Sequence, residues 1–85
     1  MKSPFGELRK RRALTLRELA SALGTSTRVV SEMEEGKKRV SDKFFYPLWK
    51  MGEDAFALAV QQNVFIDWRR EFHRSLSRGE RPPSI

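Results

Sequence analysis

Arg28 and Glu32 stand four residues apart near the middle of the chain. Thr27 and Ser31 lie beside them, and the basic run Lys37-Lys38-Arg39 follows. A guanidinium is a flat fork of five donors, a carboxylate only accepts, and a hydroxyl does both. These groups can read a pattern of donors and acceptors on a ligand edge, but they cannot break a bond alone. The chain offers no nucleophile–base pairing, no phosphate-cradling glycine loop and no metal-ligand set, so an enzyme is not expected. One histidine, His73, and no cysteine leave neither a metal centre nor a disulfide. No cofactor is expected.

The formal charge of +6 over 85 residues is unevenly spread. Residues 1–12 carry five basic and one acidic side chain, and residues 36–52 carry the same. Residues 13–35 hold two basic and four acidic ones. Two basic zones therefore flank an acidic centre, which suits a polyanionic partner. No apolar run reaches the length of a membrane span, and MKSPFGELRK lacks the apolar core of a signal peptide. A cytoplasmic, nucleoid-associated location without membrane contact is the expectation.

These side chains need elements to hold them. Ser3-Pro4 reads as a helix start, a hydroxyl cap followed by proline at the first helical position, and Ala13-Leu14 ends that helix or links it to the next. Thr15-Leu16-Arg17-Glu18 has the form of a capping box. Leu16, Leu19, Ala20 and Leu23 give that second helix an apolar face, and Gly24 suits its left-handed stop. Ser26 caps a third helix from about Thr27 to Glu35, with Val30 and Met33 facing inward, and Gly36 stops it. Ser41 is placed as the cap of a fourth helix ending at Gly52, and Pro47 either kinks or starts it. Residues 53–78 contain neither glycine nor proline and read as one long helix. Its residues Phe56, Val60 and Val64 are expected to cover the core. Leu58, Gln61, Phe65, Trp68, Phe72 and Leu76 form a stripe at helical spacing. The tail 79–85 reads as disordered.

Two short helices joined by a glycine-containing turn form a helix-turn-helix, whose second helix enters the major groove. The ordered set Phe5, Leu8-Arg9, Ala13-Leu14-Thr15-Leu16, Leu19-Ala20, Leu23-Gly24-Thr25-Ser26 and Val30-Ser31-Glu32-Met33-Glu34-Glu35-Gly36 resembles the lambda-repressor-like, or XRE-type, helix-turn-helix family, without a gap. The resemblance covers residues 5–52. It implies an all-α, compact five-helix domain with a long C-terminal helix. Residues 1–52 would form the DNA-binding region, and residues 53–78 would complete the core and dimerise.

The resemblance also implies site residues. Thr27, Arg28, Ser31 and Glu32 fall on base-reading positions. Arg28 can grip guanine O6 and N7 for about 1–3 kcal/mol of discrimination, while Glu32 accepts from cytosine N4 or orients Arg28. Arg9 and Glu34 fall on a structural pair, and breaking one partner of such a pair when buried costs about 3–5 kcal/mol. Leu16 replaces the family's phosphate-binding glutamine, and Glu32, Glu34 and Glu35 load the reading helix with negative charge. Phosphate anchoring therefore passes to Arg17, Lys37, Lys38, Arg39 and Lys43, with Arg11 and Arg12 as further candidates.

Family members bind palindromes as dimers, and Phe65, Trp68, Phe72 and Leu76 are expected to form the two-fold contact. The expectation is a homodimeric regulator of transcription bound to double-stranded DNA. A steric repressor of a short inverted repeat fits best, of the autoregulatory kind found in phages and mobile elements. The competing expectation is an antitoxin or other module that neutralises a partner protein such as a toxin.

Overall fold

The computed structural model of the chain describes residues 1–81. The expected disordered tail 79–85 lies mostly outside the described residues. Five α-helices are present, and there is no strand among the described residues. They are α1 (Pro4–Arg11), α2 (Leu16–Leu23), α3 (Thr27–Glu34), α4 (Phe45–Lys50) and α5 (Ala55–Ser77).

The local signals place the helix ends. Ser3 Oγ accepts from the Gly6 amide, with Pro4 in the first turn of α1. Thr15 and Glu18 close the capping box in both directions, at 3.1 and 2.9 Å. The Thr15 amide holds the Glu18 carboxyl below its usual range. A carboxyl lowered in the fold stabilises it above its unfolded value and loses that contribution as pH falls through the lowered value. The box therefore acts at neutral pH and fails in acid. Gly24 adopts φ +70 and ends α2, and Ser26 Oγ accepts from the Val29 amide to start α3.

Of the two expectations for Pro47, the helix that begins near it is the one observed. A 3₁₀ turn, Asp42–Phe44, runs straight into α4, and Pro47 is the third residue of that helix. A proline is tolerated in the first turn of a helix. Ser41 precedes the 3₁₀ turn without a side-chain cap bond.

One core joins all five helices. Phe5, Leu8, Leu19, Val30, Met33 and Leu48 are fully buried, and Leu58 of α5 closes over them. Beyond that point α5 turns out differently from the expected pattern. Phe56, Val60 and Val64 do not cover the core: they are 73%, 50% and 48% exposed. Phe65 is buried within its own chain. Trp68 and Phe72 are half-buried: Trp68 stacks on Phe65 at 6.3 Å between ring centroids, and Phe72 lies tilted against Trp68 at 5.2 Å. Leu76 alone of the expected dimer stripe is exposed. Gln61 lies in solvent, and its neighbour Gln62 is fully buried. The inward face thus steps Ala55, Leu58, Gln62, Phe65.

Phe65 is held by a glycine. Gly36, at φ +77 just past α3, packs so closely that a Cβ there would come within 2.9 Å of the Phe65 ring and 3.0 Å of Arg69 Cδ. Gly24 has a similar φ and open space around it. Left-handed backbone costs an alanine about 1–2 kcal/mol. Gly24→Ala is expected to lose about 1 kcal/mol in urea unfolding. Gly36→Ala should lose at least about 1 kcal/mol more, because the Phe65 ring must also move.

Candidate nucleic-acid interface

The reading helix is fixed near its C-terminal end and along its inner side. Val30 and Met33 enter the core. Near its C-terminal end, Arg9 Nε donates to Glu34 Oε1 at 2.8 Å, and Ser3 Oγ donates to the Glu34 carbonyl at 2.7 Å. Both tie α1 to α3 across more than twenty residues of sequence. The Arg9 side chain is 34% exposed, so the pair is only partly buried. Its loss should cost about 1.5–3 kcal/mol, as for a hydrogen bond to a charged group, rather than the larger cost of stranding a buried ion.

The outward side is what a ligand meets. Thr27 and Arg28 are exposed, and Ser31 and Glu32 are half-buried on the next turn. Arg28 Nε donates to Glu32 Oε1 at 3.2 Å, with the Arg28 side chain 88% exposed. This bond engages only Nε. Both terminal nitrogens stay free, and two parallel donors are what a guanine O6/N7 edge accepts. The arrangement suits Glu32 to orienting Arg28.

The basic groups considered for phosphate binding fall into three sets. Arg11 and Arg12 both bind the Glu53 carboxylate, with bonds of 3.0 and 2.7 Å. That clamps the end of α1 to the start of α5 and takes the two arginines from the pool of free cations. Lys37 Nζ pairs with Glu35 at 2.8 Å and holds the Glu35 carboxyl below its usual range. Arg17, Lys38 and Arg39 are exposed and make no ion pair among the described residues, and Lys43 Nζ rests 5.3 Å from the Phe44 ring centre. These four remain available to an external anion.

The residue missed by pattern reading is Gln62. Its Nε2 donates to the Met33 carbonyl at 2.7 Å and to the Lys38 carbonyl at 2.9 Å. One buried amide thereby joins the end of the reading helix to the basic loop and both to α5. Gln61 and Gln62 fit a helical stripe from Leu58 equally well, at three and four residues on. The only available signal was the step of three from Gln62 to Phe65.

No cluster of acidic or histidine side chains among the described residues is arranged to hold a metal ion. A shallow cavity of about 400 Å³ between α2 and α4 is lined by Leu23, Tyr46, Pro47 and Met51. No described helix is long and apolar enough to cross a membrane.

Gln62→Leu should strand two carbonyls in the core and cost about 2–3 kcal/mol. Hydrogen exchange should quicken at the amides of residues 37–39, whereas those of α2 should change no more than global stability requires.

With that geometry in place, comparison with known proteins gives one match. Residues 6–47 fit the family model described as a helix-turn-helix. No curated protein and no solved structure matches the chain.

Proposed function

We propose that this chain, which belongs to the XRE-type, lambda-repressor-like helix-turn-helix family and so is a DNA-binding transcription regulator, acts as a sequence-specific dimeric repressor. It binds a short inverted repeat, one copy per half-site, with α3 in the major groove. The observation that carries this reading is the Arg28–Glu32 pair, which leaves a two-nitrogen edge pointing outward from an otherwise anchored helix. A guanidinium held by one nitrogen loses less freedom on meeting a base than a free one.

Phosphate binding falls to Arg17, Lys38, Arg39 and Lys43 in this reading. Lys37 adds less, because its charge is shared with Glu35. The backbone amides of Leu16 and Arg17, which the capping box leaves free at the start of α2, supply a further anion site where the Leu16 side chain cannot. The three glutamates of α3 are mostly occupied: Glu34 by Arg9, Glu32 by Arg28 and Glu35 by Lys37. Pairing lowers their repulsion of the phosphate backbone.

Selection of bound sites from random duplex DNA should recover an inverted repeat with half-sites about one helical turn apart. On the selected site, Arg28→Ala should lose about 1–3 kcal/mol of preference over random duplex, chiefly at one guanine in each half-site. Lys38→Ala should weaken selected and random duplexes alike and flatten the log–log salt slope by roughly 0.9 per half-site. Equal retention of selected and random duplexes by the unaltered chain would refute sequence-specific binding.

A further inference from the structure

Gly36 and Arg69 are far apart in sequence and pressed together in the fold. A Cβ on Gly36 would lie 3.0 Å from Arg69 Cδ, so the aliphatic stem of Arg69 crosses the turn that ends α3. Arg69 is half-buried, yet its guanidinium makes no hydrogen bond and no ion pair among the described residues. The end of α3 does not need it as a cap. The Glu32 carbonyl takes the Lys37 amide, the Met33 carbonyl takes Gln62 Nε2, and the Glu34 carbonyl takes Ser3 Oγ. The neighbouring carboxylates are engaged by other cations. Glu34 holds Arg9, Glu32 holds Arg28, and on α5 Glu71 holds Arg74 and Arg78. Glu7 of α1 and Asp67 of α5 form no ion pair with Arg69. Glu35 holds Lys37 Nζ at 2.8 Å, and its carboxyl is kept below its usual range by Lys37 first and by the charge of Arg69 after it. Two cations therefore stand against one carboxylate at the end of α3.

Glu35 shows which side of α3 this is. Arg28, Glu32 and Glu35 step by four and three, so they share the outward face of the reading helix. Glu35 closes that face about 10 Å from Arg28 at the helical rise. The major groove is about 12 Å wide and is bordered by a phosphate chain on each side. With Arg28 on a base edge, the Glu35 end of the same face lies within reach of a phosphate. We infer that Arg69 is a phosphate contact of duplex DNA, reaching from α5 across Gly36 to the strand that borders the groove holding α3. This role rests on the DNA-binding reading above and adds to it a contact from outside the helix-turn-helix. The guanidinium fork matches two phosphate oxygens. Its stem is already packed on Gly36, so less freedom is lost when the head binds. Gly36 serves the contact by having no side chain, because a Cβ there would meet the stem on its way from α5 to the outer face.

The test is fluorescence anisotropy of the full chain across a salt series, on a labelled duplex carrying one selected half-site and on a random duplex. Arg69→Met keeps the stem and removes the charge. It should flatten the log–log salt slope by roughly 0.9 on both duplexes, which from a 1 M reference is about an eightfold loss of affinity at 0.1 M salt. Arg69→Lys should restore most of that slope. Arg74→Met removes the same charge five residues on, about 140° round the helix, and should leave slope and affinity unchanged. Circular dichroism checks folding. Should Arg69→Met lose helicity, Arg69→Gln takes its place with the same expectation. An unchanged slope in the uncharged Arg69 variant overturns the contact and leaves the DNA reading standing. So does a loss as large in Arg69→Lys, which would belong to packing, or an equal loss in Arg74→Met, which would belong to net charge. Failure of the unaltered chain to bind either duplex removes the contact and the DNA reading together.

Discussion

The side-chain amide of Gln62 is the interaction on which the rest of this small fold depends. A helix end leaves carbonyls without partners, and a loop that leaves it adds more. In a larger protein, water or neighbouring strands satisfy them. Here Gln62 reaches through the core and gives one proton to the Met33 carbonyl and one to the Lys38 carbonyl. The surroundings are apolar, so each bond is stronger than it would be in water and costlier to lose. The loop that follows is therefore not a free basic tether. Its backbone is set relative to α3 by the same residue that fixes α5, and Gly36 lets the Phe65 ring close the remaining gap.

Charge is used in the same economical way. Of the seventeen basic side chains, several serve the fold itself. Arg9 anchors Glu34, and Arg11 and Arg12 share Glu53. These pairs are partly exposed, so their value lies in orientation more than in energy. They set the angle of α1 against the two elements that flank it, α3 and the start of α5. Of the exposed basic side chains without an ion pair among the described residues, Lys38 and Arg39 are adjacent on the loop after α3, and the others are spread along the chain.

Much of this was legible in the residue order, because the signals were local. Ser3, Thr15, Gly24 and Ser26 mark helix ends through bonds that span three or four residues, and such bonds leave a fixed spacing in the sequence. The fold class and the helix-turn-helix followed from that punctuation. The outer half of the design did not. Along α5 the apolar residues run nearly all round from Ala55 to Ile66, so periodicity could not say which side faces in. The stripe read at helical spacing takes in Gln61, whereas the buried residue is Gln62. Phe56, Val60 and Val64 are likewise read inward, whereas they face out. Contacts distant in sequence, Gly36 against Phe65 and Gln62 with the Met33 and Lys38 carbonyls, fix that rotation, and no local rule contains them. The fate of Arg11 and Arg12 was hidden for the same reason, since Glu53 lies some forty residues downstream.

Those long-range ties have a consequence for how the chain can be divided. The segment that carries the family pattern, residues 6–47, omits Ser3, which fastens α1 to α3, and all of α5, which supplies Leu58, Gln62 and Phe65. A fragment cut at those limits would keep every residue proposed to face the groove and lose what seats the helix bearing them. Recognition helices are often treated as transferable parts. In this chain the transferable part is the larger unit from Ser3 to at least Arg69. A graft that respects the pattern but not the packing would carry the right letters on a helix free to tilt.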